Sequence, residues 1–278
     1  MTKLTVACVQ MTADREDAPS VAMASELIRE AQARGASYIQ TPECTSMMEP
    51  SKKLLLAKAW PEEEHPALQA FQALAAELGI WLHIGSLIVG LPDQEKAANR
   101  GYMISPEGRI TARYDKIHMF DVDIPDGQRY QESATFEAGK QAVLTGIDTP
   151  DHVGLKLGMT ICYDVRFGAL YRSLAKAGAD ILTAPAAFTR FTGQAHWSVL
   201  QRARAIETGC FVVSAGQCGT HAEGRETYGH SIIVAPWGEV LEEAGEAPCV
   251  ITAELDLERV QQARNMVPSL NNDQAFSL

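Results

Sequence analysis

Short apolar runs alternate along the chain with segments whose apolar residues recur at helical spacing. Residues 4–11 form a mostly apolar run with the β-branched Val6 and Val9, which reads as a buried strand. Residues 21–34 carry helical spacing and stop before Gly35, and residues 37–41 return to strand character and end on Pro42-Glu43-Cys44. A helix over 66–78, closed by Gly79, leads into a strand over 80–89. Strands over 102–105 and 110–114 flank Pro106-Glu107-Gly108, a hairpin signal. The second half repeats the alternation: strand 155–161, helix 169–177, strand 180–184, helix 195–208 and strand 210–215. Strands over 231–235 and 240–243 then bracket Pro236-Trp237-Gly238 with the same turn logic.

This order predicts an α/β fold of two sheets with helices outside. The sheets should pack face to face, because a sheet covered by helices on one side still has an apolar face to bury. No linker-like, low-complexity or repeated tract divides the chain, so residues 1–278 read as one domain, with 267–278 a polar tail or a dimer-contacting arm.

Composition narrows the partners. Hydrophobic residues make up 46% and charged residues 21%, ordinary globular usage, and the net charge of -11 argues against a nucleic-acid partner. No apolar stretch approaches the ~18 residues of a membrane span, and the first residues turn polar too soon for a secretory signal. The six cysteines (Cys8, Cys44, Cys162, Cys210, Cys218 and Cys249) lie scattered, mostly in apolar runs, and read as reduced thiols of a cytoplasmic protein.

Three positions stand out chemically. Cys162 follows a strand and precedes a helix, so its thiol is expected on an exposed turn with backbone N–H groups beyond it. A thiol of pKa about 8.5 needs a base or a positive field to act as a nucleophile. Glu43 is expected at the C-terminal end of a buried strand, and Lys116 where a hairpin strand closes. Each alone has a plainer reading: a small buried hydrophobe, a capping glutamate, a solvated lysine. Cys218 and His221, with His230 nearby, lack the second close pair of a structural zinc site. Glu62-Glu63-Glu64 reads as a solvated helix start.

Together and in order, the segments change that balance. Tyr38-Ile39-Gln40-Thr41-Pro42-Glu43, Tyr114-Asp115-Lys116-Ile117-His118-Met119-Phe120 and Ile161-Cys162-Tyr163-Asp164-Val165-Arg166-Phe167 resemble the signature segments of the nitrilase superfamily of carbon–nitrogen hydrolases. Gly193-Gln194-Ala195-His196-Trp197, Arg202-Ala203-Arg204-Ala205-Ile206-Glu207 and Tyr228-Gly229-His230-Ser231 extend the likeness over nearly the whole chain. Gly168 stands where the family usually has proline, and residues 269–274 lack its usual paired arginines.

The resemblance implies a four-layer αββα sandwich that dimerises, with no metal or organic cofactor. It implies Glu43 as general base, Cys162 as nucleophile, and Lys116 with the backbone N–H of Tyr163 as oxyanion donors. Glu132 is the matching second glutamate, which orients Lys116. The expected reaction cleaves the terminal carboxamide of a small carboxylate-bearing substrate through a cysteinyl thioester, releasing ammonia. The string Phe211-Val212-Val213-Ser214-Ala215-Gly216-Gln217-Cys218-Gly219 looks most like deaminated-glutathione amidases, and Ile117-His118-Met119-Phe120-Asp121-Val122-Asp123-Ile124-Pro125 is similar to a segment of those enzymes and of the ω-amidases; ω-amidases and N-carbamoyl amidohydrolases are the alternatives. A catalytically idle scaffold is the alternative of another class. Arg166, four residues past Cys162, reads either as a bidentate grip on the substrate carboxylate or as a structural ion pair. His196 reads as packing against the sheet or as contacting the substrate pocket.

Overall fold

The computed structural model describes residues 3–92, 95–123, 129–149 and 152–277. Ile124, Pro125 and Gly127 of the segment after Lys116, and Leu278 of the tail, lie outside the described residues. The chain runs β1 (Lys3–Gln10), α1 (Asp17–Ala33), β2 (Tyr38–Gln40), α2 (Lys52–Lys58), α3 (Pro66–Leu78), β3 (Trp81–Gly90), β4 (Ala97–Ile104) and β5 (Ile110–Asp115). A small hairpin, β6 (Asp121–Asp123) with β7 (Arg129–Gln131), follows. Then come β8 (Val143–Thr149), β9 (His152–Met159), α4 (Gly168–Lys176), β10 (Ile181–Thr183), α5 (Arg190–Thr208) and β11 (Phe211–Ser214). The hairpin β12 (Cys218–Thr220) and β13 (Glu226–Tyr228) precedes β14 (Ile232–Val234), β15 (Val240–Glu243), β16 (Cys249–Asp256) and α6 (Glu258–Met266).

Two six-stranded sheets result, ordered β16-β1-β2-β3-β4-β5 and β15-β14-β11-β10-β9-β8. The two-residue period of β1 explains the layering. Val6 and Cys8 belong to the cluster that includes Leu157, Met159, Ile181 and Val212 of the second sheet. Ala7 and Val9 face the other way, into the cluster of Ile28 from α1 and Phe71 from α3. On the far side, Tyr171 and Leu174 of α4 and Trp197 of α5 pack on the second sheet. The layers are therefore helix, sheet, sheet, helix, as the resemblance implies. α1 buries Ser20, Ala24, Ile28 and Ala31, one face at helical spacing.

Both expected hairpin turns form, with Gly108 at φ 75° and Gly238 at φ 88°, where a side chain would be strained. Other boundaries move. β4 begins at Ala97 rather than at residue 102, because the polar Asn99 and Arg100 interrupt its apolar alternation while still pairing with β3 and β5. α5 begins at Arg190, capped by the Thr189 hydroxyl, so His196 lies inside the helix rather than at its start. The Glu62–Glu64 segment is a 3₁₀ turn ahead of α3, and Glu62 is not simply solvated. It accepts from Arg100 at 2.8 Å, Arg113 at 2.6 Å and the Tyr102 hydroxyl at 3.1 Å.

Candidate active site

Three connections converge between the sheets. β2 ends at Gln40 and the chain turns through Thr41 and Pro42 to Glu43; β5 ends at Asp115, one residue before Lys116; β9 ends at Met159, three before Cys162. Each group sits just past a strand end, the place where α/β folds collect reactive side chains. Cys162 opens a 3₁₀ turn, Cys162–Arg166, at φ 49°, a left-handed conformation rare for a residue with a side chain. Its amide donates to Pro185 O at 2.9 Å. Tyr163 follows within the turn, whose first N–H groups have no partner inside it.

The lysine is buried between two carboxylates. Lys116 Nζ lies 2.8 Å from Glu43 Oε1 and 2.8 and 2.9 Å from the two oxygens of Glu132. Burial favours a neutral amine, but the charges of Glu132 and Glu43, with the Cys162 sulfur beside them, outweigh it and hold the ammonium well above its ordinary pKa. Burial likewise raises Glu43. Lys116, the Cys162 thiol and the Ala187 amide together more than reverse that and leave Glu43 below the usual carboxylate range. The Ala187 N–H donates to Glu43 Oε2 at 2.8 Å. Burial first, then the negative charge of Glu43, pushes the Cys162 thiol well above its ordinary value. At neutral pH the cluster is thus a neutral thiol, an anionic glutamate and a cationic lysine. Such a thiol gains nucleophilicity only as its proton leaves for Glu43.

Groups not singled out from sequence complete the arrangement. Asn99 Nδ2 donates to Glu43 Oε1 at 2.9 Å and to Glu132 Oε1 at 3.3 Å, while its carbonyl accepts the Lys116 N–H at 3.0 Å. Gln217 Nε2 donates to the Glu43 carbonyl at 3.0 Å. Asp164, fully buried, ties the Cys162 turn to the strand that precedes Lys116. A polar residue at an apolar strand position, as Asn99 is, was the one available signal.

Glu43, Lys116, Glu132, Cys162 and Tyr163 line one cavity of about 240 Å³. Phe120, Tyr130, Phe188 and Arg225 share its wall. Arg166 and His196 are not among the lining residues: both terminal guanidinium nitrogens of Arg166 stand 3.3 Å from His196 Nδ1, behind Phe188 and Tyr163. His221 is held by the Ala13 carbonyl at 2.9 Å and the Thr227 hydroxyl at 2.7 Å. Among the described residues no group of three or more His, Cys, Asp or Glu side chains is arranged to hold a metal ion.

Comparison with known proteins agrees with this frame. Residues 5–265 match the family model described as carbon-nitrogen hydrolase. The chain is 40% identical over 268 residues to a deaminated glutathione amidase of Synechocystis, covering 96% of each chain. It is 38% identical to the human protein of that name, over 95% of this chain and 80% of the human one. The crystal structure of C. elegans NitFhit superposes with a TM-score of 0.90 at 35% identity, covering 99% of this chain, which spans 66% of that longer one. Saccharomyces cerevisiae Nit3, a member of branch 10 of the nitrilase superfamily, gives 0.85 at 29%, covering 98% of this chain and 96% of that one. With a family model spanning nearly its whole length and two packed sheets that meet at the glutamate, lysine and cysteine of that family's motifs, the chain belongs to the carbon–nitrogen hydrolase family.

Proposed function

We propose that the protein is a cysteine-nucleophile amidase whose substrate is deaminated glutathione. The observation that carries this reading is the contact of Lys116 with both Glu43 and Glu132 beside the Cys162 sulfur, on the wall of a cavity that also presents cations. The names of the relatives at 35–40% identity support the substrate.

The steps follow from the protonation pattern. The thiol proton passes to Glu43 as sulfur attacks the amide carbon, and the oxyanion is met by Lys116 and the Tyr163 N–H. Glu43 returns that proton to the amide nitrogen, the C–N bond breaks and a thioester remains. Glu43 then takes a proton from water, the resulting hydroxide attacks, the C–S bond breaks and the proton returns to sulfur. In deaminated glutathione the scissile amide is internal, joining a 2-oxoglutaryl group to cysteinylglycine. The amine released is therefore the dipeptide, and the terminal carboxamide and ammonia expected from sequence belong to substrates such as 2-oxoglutaramate.

The same reading takes the protein as a cytoplasmic homodimer. Exposed Val199 and Ile206 of α5, with Trp237 and Val240 of the β14–β15 hairpin, support an apolar self-contact. Six unpaired cysteines suit a reducing compartment. No helix among the described residues is long and apolar enough to cross a membrane.

The test is a panel of deaminated glutathione, 2-oxoglutaramate, an N-carbamoyl amino acid and a nitrile, run with wild type and Cys162→Ala and ranked by kcat/KM. Deaminated glutathione should rank first, and intact mass should show an acyl adduct that Cys162→Ala lacks. Absence of both turnover and adduct across the panel would leave the idle-scaffold reading.

A further inference from the structure

One half-buried cation on the cavity wall has no counter-charge among the described residues. Arg225 precedes β13, and its backbone carbonyl accepts the His221 N–H at 2.8 Å, closing the loop between β12 and β13. Its guanidinium stands 5.7 Å from the Tyr130 ring centroid, and one terminal nitrogen donates to the Ala187 carbonyl at 3.4 Å, a long contact. Its Nε is buried without a hydrogen-bond partner. Among the described residues no carboxylate pairs with it.

The other cations on this wall differ from it: Lys116 is held by two glutamates, Arg129 pairs with Asp123 at 3.3 Å, and Lys52, which donates to the Ala134 carbonyl, is exposed to solvent. A guanidinium removed from water without an anion, with an N–H left unmade, carries an uncompensated cost. Its planar fork is matched by a carboxylate, and the cavity is where one can reach it. In a chain of net charge -11, such a local cation also offsets the repulsion an anionic substrate meets.

We propose that Arg225, rather than Arg166, binds a carboxylate of the amide substrate and selects for anionic amides. The inference rests on the amidase reading and adds the residue that sets its substrate class. A competing role exists on the same geometry. Arg225 donates to the carbonyl of Ala187, whose N–H holds Glu43, so the arginine and the glutamate grip opposite ends of one residue.

A matched substrate set separates the two roles. Deaminated glutathione is compared with an analogue whose glycyl carboxylate is reduced to an alcohol, and with one whose 2-oxo acid is replaced by a methyl ketone. Arg225→Gln should lower kcat/KM on the full substrate roughly 10- to 100-fold, the scale of a charge-assisted contact. The loss should shrink to about twofold or less on one analogue, the one lacking the carboxylate that Arg225 holds, as a double-mutant cycle requires. Arg225→Lys, which keeps charge but not the fork, should fall between. An equal loss on all three substrates assigns Arg225 to positioning Glu43 and overturns the proposal, as does no loss on any. Calorimetric binding of the same three compounds to Cys162→Ala, with and without Arg225→Gln, gives the readout without turnover. Carboxylate-dependent binding lost on Arg225→Gln supports the subsite even where wild type cleaves nothing, an outcome that defeats the amidase reading alone. Binding that ignores Arg225 defeats the subsite alone.

Discussion

Asp164 and Tyr114 meet at 2.7 Å inside the core, and this contact clasps the nucleophile turn to the strand that delivers Lys116. The second donor on the same oxygen is the Ile161 amide at 2.9 Å, one residue before the nucleophile. The other oxygen takes the His118 amide at 3.0 Å and its Nδ1 at 2.6 Å, two residues beyond the lysine. With two donors on each oxygen, Asp164→Asn must aim its amide at donors whichever way it turns. We expect a stability loss of about 2–4 kcal/mol and a kcat that falls more than KM rises. Denaturant unfolding and steady-state kinetics check both.

Lys116→Met should cost kcat about 10²–10³, the scale of one lost oxyanion donor. It also strands Glu43 and Glu132 beside each other, so stability should fall by roughly 3–5 kcal/mol. Glu132→Gln keeps a neutral acceptor against the lysine and should be far milder. Equal kcat losses in the two variants would contradict separate roles for them.

The pH profile follows from the directions of the shifts. Glu43 is held below its ordinary 4.5, so its carboxylate stays ionised down to acid pH. Lys116 is held above 10.5, so its ammonium stays charged well into alkali. Cys162 is raised, so no thiolate forms in the usual range near 8.5. Across pH 6–9 kcat/KM should therefore be flat. An alkaline-rising limb centred near 8.5 would show instead that free thiolate is the reacting species.

The strand–helix alternation and the three positions that the fold brings together, Glu43, Lys116 and Cys162, were legible, because each lies in a segment whose neighbours carry information of their own. Their supports were less so. Asn99 fell outside the strand expected over 102–105, and a buried asparagine there is explained only by carboxylates 56 and 33 residues away. Arg225 sits in His221-Ala222-Glu223-Gly224-Arg225, a polar loop indistinguishable by composition from a solvated one. Arg166 drew attention through its spacing from Cys162, yet a 3₁₀ turn, tighter than an α-helical one, carries it to His196 and not to the cavity wall.

Glu49 links structure to acid stability. It is buried and receives Arg15 at 3.0 Å, Lys58 at 3.0 Å and the Ser51 amide at 3.0 Å. Burial works against the charge, but these donors prevail and hold the carboxyl at about 2. A depressed folded value means its contribution is present above the ordinary 4.5 and disappears as pH drops toward 2. Glu49→Gln should lose about 1–3 kcal/mol at pH 7, and the gap from wild type should close on acidification.

Gly85→Ala probes the seam between the sheets. A Cβ there would stand 2.3 Å from the Thr41 carbonyl, 2.5 Å from that of Pro42 and 2.5 Å from Pro185 Cβ, two of them backbone atoms. Overpacking of this kind costs about 1–3 kcal/mol or more, and the atoms displaced lie immediately before Glu43. Activity should fall beyond what the unfolded fraction explains. Thermal melts paired with kcat at a temperature well below the transition separate the two.

The strand order sets when chemistry can begin. β1 pairs on one side with β2 and on the other with β16, the last of the named strands along the chain and far from β1 in sequence. Glu43 and Lys116 come from the sheet that β16 completes, and Cys162 comes from its neighbour. A growing chain therefore carries the Cys162 thiol through about ninety residues of synthesis before the sheet that holds Glu43 and Lys116 is complete.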